Sequence, residues 1–366
     1  MPFTHDSLAQ RVILGSGQAS AALAAEIERL GGRRVMVIAG EHEAALADQV
    51  VADQSVELRW GEVRQHVPLE LAQRARAAAT EAGIDLVVSV GGGSTTGLAK
   101  AVAMEVDVTI IAVPTTYAGS EATNVWGLTE DGTKTTGADP RVLPTTVIYD
   151  AGLTTSLPVD LTVASGLNGL AHCVDSLWAP RADPINLAMA LEGARALALG
   201  LPAVVADPQD LVGREQCLYG AYLSAVAFAS AGSGMHHKIC HVLGGAYDLP
   251  HAPTHAVVLP YVLAHNAAAV PTEAGRLALA LGATPTQVEA DPAQAAVDAL
   301  EELRVALDAP RRLAEVGLAE GDLPDAVQRS LPKIPESNPV PVTEASLTGL
   351  LRSAWAGDKP TLHRHP

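Results

Sequence analysis

Positive charge and aromatic rings are what these 366 residues have least of. Lys and Arg number 24 against 41 Asp and Glu, for a formal net charge of -17, and Phe, Tyr and Trp together make up 3%. Nucleic-acid affinity comes from releasing counterions to a basic footprint, and single-strand binders add aromatic stacking platforms, so both kinds of partner are excluded. The same balance disfavours an anionic membrane surface. No run approaches the roughly 18 consecutive apolar residues of a membrane span. The three cysteines, Cys173, Cys217 and Cys240, form no CxxC pair and are too few for a disulfide framework. The start of the chain, MPFTHDSLAQRVILGSGQ, shows no basic segment followed by an apolar run, which leads us to expect a cytoplasmic protein. Three motifs are also missing: the GxGxxG fingerprint, the GxxxxGK[ST] phosphate loop and the GxSxG elbow of acyl transfer.

What is present falls into two textures. Up to about residue 150, short β-branched runs alternate with Ala/Leu-rich stretches. The pattern predicts strands over 34–40, 56–60, 84–91 and 108–114, with helices over 16–32, from about Glu41, over 69–82 and over 96–105. Such alternation implies a parallel sheet with right-handed crossovers. Beyond that point long Ala/Leu stretches take over, at 161–178, 184–201, 211–232, 257–269, 272–281 and 292–307, with shorter pieces near 310–316 and 343–354. Their ends carry Pro, Gly and Asp, as helix termini do. The reading is an α/β domain over 1–155, carrying a parallel nucleotide-binding sheet, and an all-helical domain over 156–366.

Two constellations carry chemistry. Gly91, Gly92, Gly93 and Ser94 follow an apolar strand and precede a helix, so backbone N–H groups and a helix N-terminus are open to a pyrophosphate. PTTYAGSE, residues 114–121, follows the next strand and offers Thr115, Thr116, Tyr117 and Ser120 as neutral donors. Loops at the carboxyl ends of neighbouring parallel strands meet over the sheet, where such folds bind ligands. The second constellation is imidazole-rich: His236, His237, His241, His251 and His255, with Asn168 and His172 four apart in GLNGLAHCVDS. On a helix, positions four apart share a face, as do His237 and His241. By spacing alone the set reads either as a divalent metal site, as a metal-free acid or anion-binding cluster, or as core and capping histidines. Asp175 is the nearby carboxylate. Cys173 and Cys240 adjoin histidines in sequence, but helical neighbours point apart, so no nucleophilic pair follows.

GGGSTTGLAK, PTTYAGSE, DPRVLPTTVIYD, GLNGLAHCVDS and above all HHKICHVLGGAYDLPHAPTH resemble the iron-containing alcohol dehydrogenase superfamily, and within it the maleylacetate reductase branch. The resemblance runs from about Val12 to Asn266. It implies a dehydroquinate synthase-like fold, use of NADH or NADPH, a homodimer, and a place in bacterial degradation of aromatic compounds. It also implies cofactor contacts at Gly91, Gly92, Gly93, Ser94, Thr115, Thr116 and Ser120. Metal-dependent relatives hold their ion with an Asp and three His at places matching Asn168, His172, His237 and His251, and His241 matches a further cleft histidine. Asn168 departs from that pattern by replacing the carboxylate, and Gly97 stands where alcohol dehydrogenases carry an Asp. We therefore expect no metal, and expect His172, His237, His241 and His251 to face a small dicarboxylate substrate, donating to it or holding it as cations. The other readings are a metal-dependent alcohol or lactaldehyde-type dehydrogenase, a sugar-phosphate enzyme of related fold, which would want more Lys and Arg, and an inert metabolite binder.

Overall fold

Short apolar runs that bury both faces build the first unit of the chain. In the computed structural model, which describes residues 2–130 and 133–364, Ser7–Leu157 form one unit, and Met1–Asp6 with Pro158–Pro366 form the other. The first contains β1 (Arg11–Leu14), α1 (Ala19–Leu30), β2 (Val35–Ile38), α2 (Ala44–Val50), β3 (Val56–Trp60) and α3 (Leu69–Glu81). It continues with β4 (Leu86–Gly91), α4 (Gly93–Ala103), β5 (Thr109–Pro114), β6 (Val125–Glu130), β7 (Thr133–Ala138) and β8 (Thr146–Tyr149). Six strands form a sheet in the order β1-β8-β5-β4-β2-β3, every pairing parallel. β2, β4 and β8 are buried at every residue, as a sheet covered on both faces requires. Successive residues face opposite ways: Val35 and Val37 pack with Leu23 and Ile27 of α1, whereas Met36 and Ile38 pack with Leu71 of α3 and Leu98 of α4.

The second unit is helical: α5 (Val159–Ser176), α6 (Pro184–Ala206), α7 (Leu211–Ala231), α8 (Met235–Tyr247) and α9 (His251–Asn266) come first. α10 (Pro271–Ala280), α11 (Pro285–Ala290), α12 (Pro292–Ala306), α13 (Leu323–Ser330) and α14 (Glu344–Ala356) follow. Aspartates at 183, 210 and 291 cap α6, α7 and α12 by accepting backbone N–H bonds. By length and composition α6 is apolar enough to cross a membrane, but in this structure it packs against α5 and α7.

The α/β class and the helical second half are as the sequence pattern implies. Several details differ: the helical piece expected near 310–316 is coil and turn, and α8 and α11 lie outside the predicted helices. β1 precedes the first helix, which begins at Ala19 rather than residue 16. The antiparallel β6–β7 hairpin and β8 carry no alternation long enough to announce themselves. α9 begins at His251 rather than 257, because a Pro two residues into a helix is tolerated where its missing N–H has no partner anyway. α13 lies in a stretch where the sequence predicts no helix.

Candidate active site

The sheet positions the glycine turn. From β2 the chain moves outward to β3, and from β4 it moves the other way to β5, so strand order reverses between β2 and β4. Open parallel sheets bind ligands at the carboxyl ends of strands flanking such a reversal. Gly91, which ends β4, has φ 151, a conformation that side-chain-bearing residues rarely adopt. A Cβ there would also stand 2.5 Å from Thr95 Oγ1. Gly92 then begins α4 without any side-chain cap, leaving the first N–H groups of the helix to an external acceptor. The Thr115 amide donates to the Gly91 carbonyl at 3.2 Å, and a Cβ on Gly92 would meet Thr116 Cγ2 at 3.0 Å. The structure thus brings the two predicted loops together, with Ser94, Thr116 and Ser120 half-buried and Thr115 buried.

One loop residue turns the other way. Tyr117, offered by the sequence as a donor, is fully buried and its hydroxyl donates to Thr154 Oγ1 at 3.3 Å. Beneath the loop lies Lys100, which the sequence reading passed over as one charge in an apolar helix. Its buried Nζ donates to the carbonyls of Ser120 at 2.7 Å, Thr123 at 2.8 Å and Val125 at 2.8 Å. Glu121, also buried, accepts a 2.7 Å bond from the Tyr149 hydroxyl, and burial raises its carboxyl pKa.

The imidazoles gather in the helical unit. His172 comes from α5; His236, His237 and His241 from α8; His251 and His255 from α9. The rings of His172 and His237 stack with centroids 4.8 Å apart and planes 9° from parallel, and Phe228 of α7 closes over both at 4.8 and 4.2 Å. His241 lies 6.0 Å from His237. His251 joins the group through His255, 4.3 Å from the one and 4.9 Å from His237. His172 and His237 are buried and His241 and His251 half-buried, so these four form the more open side of the cluster. His236 and His255 lie behind, fully buried, with His236 Nε2 3.0 Å from His255 Nδ1.

A residue the sequence offers only as the nearby carboxylate holds the group in place. Asp175 is fully buried on α5, three residues after His172. Its Oδ2 accepts from His237 Nδ1 at 2.8 Å and from the backbone N–H groups of Gly234 at 3.0 Å and His237 at 3.2 Å; Oδ1 accepts from the N–H of His236 at 3.3 Å. Its spacing from His172 is visible in the sequence. The docking of α8 onto it, across about 60 residues, is not.

Burial sets the charge of the cluster. It lowers His172 to about 4 and His236 to about 3, and holds His237 and His255 well below the ordinary imidazole range, neighbouring imidazoles adding to the effect on the last three. Burial also raises Asp175 to about 7, against the pull of its backbone donors. Of the two roles expected for these rings, donor or cation, burial favours the neutral donor and acceptor for His172 and His237. Cys240 is pushed well above the thiol range by burial, and the Tyr247 hydroxyl is spent on Asp325 at 2.6 Å.

Family models match both halves of the chain: "Iron-containing alcohol dehydrogenase" over residues 9–151 and "Fe-containing alcohol dehydrogenase family, C-terminal" over residues 162–355. The chain belongs to the iron-containing alcohol dehydrogenase family. Among its relatives is the maleylacetate reductase of Sphingobium indicum, 42% identical over 98% of this chain and 99% of that one. Maleylacetate reductase 2 of Cupriavidus pinatubonensis is 45% identical over 96% of both chains. Among solved structures, an iron-containing alcohol dehydrogenase from Corynebacterium glutamicum superposes with a TM-score of 0.94 at 55% identity, covering 98% of each chain. The maleylacetate reductase of a Rhizobium species gives 0.89 at 41% identity, covering 98% of this chain and 100% of that one.

Proposed function

We propose that this chain is a maleylacetate reductase, which uses NADH or NADPH to reduce the C=C bond of an enone dicarboxylate and yields 3-oxoadipate. The observation that carries the reading is the histidine cluster without an anionic ligand, in a chain 40–45% identical over nearly its full length to proteins of that name. The α/β unit holds the nucleotide: Gly91, Gly92, Gly93 and Ser94 meet the pyrophosphate, and Thr115, Thr116 and Ser120 line its path. An uncapped helix start beside a turn that only glycine fits is the donor set a pyrophosphate needs. Bound there, the dihydronicotinamide supplies a hydride to the carbon β to the ketone.

His172, His237, His241 and His251 take the rest of the reaction. As hydride arrives, negative charge moves to the ketone oxygen as an enolate. N–H groups of His172, His241 and His251, fixed by packing, can donate to that oxygen without reorganising. A proton taken from solvent at the lone pair of one imidazole is then passed to the carbon α to the ketone, so one hydride and one proton are added across the double bond and the ring ends neutral. Phe228, lying over His172 and His237, keeps water from that side of the rings.

The same reading is metal-free, and donor chemistry supports it. Asn168 stands where the family's metal-binding members carry a carboxylate. Among the described residues the one trio whose ligand atoms lie within 4.8 Å of one another is His236, Cys240 and His255. There His236 Nε2 and His255 Nδ1 bond to each other, and neither ring's outer nitrogen meets a carboxylate, as a metal-bound imidazole's does. That trio therefore does not suit a divalent ion, Asn168 adds no charge to the other set, and no step is assigned to a metal. A homodimer in the cytoplasm completes the proposal: β1 leaves one sheet edge open to pairing, and all three cysteines are free thiols.

The test is oxidation of NADH and NADPH with maleylacetate, beside a panel of small alcohols and aldehydes, before and after exhaustive chelation. Turnover of maleylacetate that survives chelation is expected. His237→Ala and His251→Ala should each lower turnover by about 10²–10⁴-fold while nucleotide binding is retained. Activity confined to alcohols and abolished by chelation would overturn the reading.

A further inference from the structure

We propose that Asp175 is a positioning residue that fixes the tautomer of His237, so that Nε2 is the ring atom through which His237 deals with the substrate. The role builds on the reductase reading, but the tautomer itself does not depend on it. Asp175 sits on α5 and is fully enclosed. Gly234, which begins α8, supplies no side-chain cap, and the first amides of α8 point instead at the Asp175 carboxylate. A carboxylate from another helix thus does the work an N-cap side chain ordinarily does from within. Space is kept for it: a Cβ on Gly234 would stand 2.5 Å from Asp175 Oδ1.

This capping decides the direction of the fourth bond. Backbone N–H groups can only donate, and three of them favour the carboxylate form of Asp175, which can only accept. The 2.8 Å contact to His237 Nδ1 therefore runs from Nδ1–H to Oδ2. A neutral imidazole carries one proton, so Nε2 is left with its lone pair. Nε2 is buried and has no hydrogen-bond partner among the described residues. It lies on the ring stacked against His172 and packed under Phe228. The acceptor nitrogen is thereby presented inside the cluster, and rotation of the ring is blocked by both neighbours. The logic is that of a buried carboxylate holding a catalytic histidine in one tautomer.

The decisive variant is Asp175→Ala. Oδ2, which meets His237 Nδ1, also accepts from the amides of Gly234 and His237, so Asp175→Asn keeps its amide oxygen there and holds the same tautomer. Ala removes the acceptor, and the freed neutral ring returns to the Nε2–H form that imidazole favours in water. Nitrogen-15 NMR of histidine-labelled protein should show Nδ1–H in the wild type and in Asp175→Asn, and Nε2–H in Asp175→Ala, with nucleotide affinity unchanged. Turnover of Asp175→Ala should fall by about 10²–10⁴-fold, in kcat rather than KM. In a His237→Ala background Asp175→Ala should cause no further loss, because its effect runs through that ring. A wild-type Nε2–H tautomer, turnover of Asp175→Ala within threefold of wild type, or an equal loss in the His237→Ala background would each overturn the inference. Should the wild type leave maleylacetate untouched, the reductase reading fails instead, and the NMR tautomers still decide the role of Asp175.

Discussion

His172 shows how much a single side chain can cost a fold that needs it uncharged. In an unfolded chain its pKa returns to about 6.5, whereas burial holds it at about 4 in the folded protein. Between those values the unfolded state binds more protons, so stability falls as pH drops from 6.5 towards 4. His236, lowered to about 3, acts in the same direction. Asp175, raised to about 7, acts in the opposite one, its folded form binding the extra proton between about 4 and 7. Two shifted histidines outweigh one aspartate. Urea midpoints of the helical unit should therefore decline from pH 6.5 to 4.5, and His172→Gln should flatten that slope. A midpoint that holds steady or rises on acidification would contradict the charge assignment.

At the scale of elements, α6 and α7 approach so closely that glycine is required where they touch. A Cβ on Gly200 would meet the Gly213 carbonyl at 2.6 Å and the Cys217 amide at 2.9 Å, both backbone atoms that cannot step aside. Gly349, inside α14, has nothing within 4 Å. Gly200→Ala should lower unfolding free energy by about 1–3 kcal/mol through overpacking. Gly349→Ala should be neutral or stabilise by up to about 1 kcal/mol through helix propensity. Chemical denaturation of the two variants side by side checks the contrast, and equal effects would refute the packing argument. Neither glycine can be told from the other in the sequence, and the site has the same limit. The β4 run LVVSVG and the repeat of histidines four apart on α8 are local patterns, so the glycine turn and the imidazoles are readable from residue order. Lys100 beneath the 115–125 loop, Tyr117 turned inward and Asp175 under α8 depend on partners 20 to about 60 residues away. No local period encodes such a pairing. β1 and β8 are fixed by pairing with one another and, for β8, with β5, and those partners lie more than 30 residues away.

For the molecule as a whole, a net charge of -17 confronts a substrate that is itself a dianion. With the buried imidazoles neutral, little in the cluster opposes that repulsion at long range. Salt screens it over about 10 Å at 0.1 M. We expect kcat/KM for maleylacetate to rise as ionic strength goes from 10 to 200 mM, with kcat nearly constant. A fall over the same range would reveal a local positive field that steers the substrate in. Charge alone thus ranks the global field and the cluster as separate influences, one acting on encounter and the other on chemistry.

The first residues of the chain add a matter of timing. His5 binds the Asp183 carboxylate at 2.9 Å, the same aspartate that caps α6, although 178 positions separate them. Residues 2–6 belong with the helical unit that begins at Pro158, and residues 7–157 intervene in the sequence. A ribosome moving at about 5–20 residues per second releases that intervening unit complete, while the opening segment still waits for its partner. The chain's earliest residues are therefore among the last to find their place, and alterations there register in the helices rather than in the neighbouring sheet.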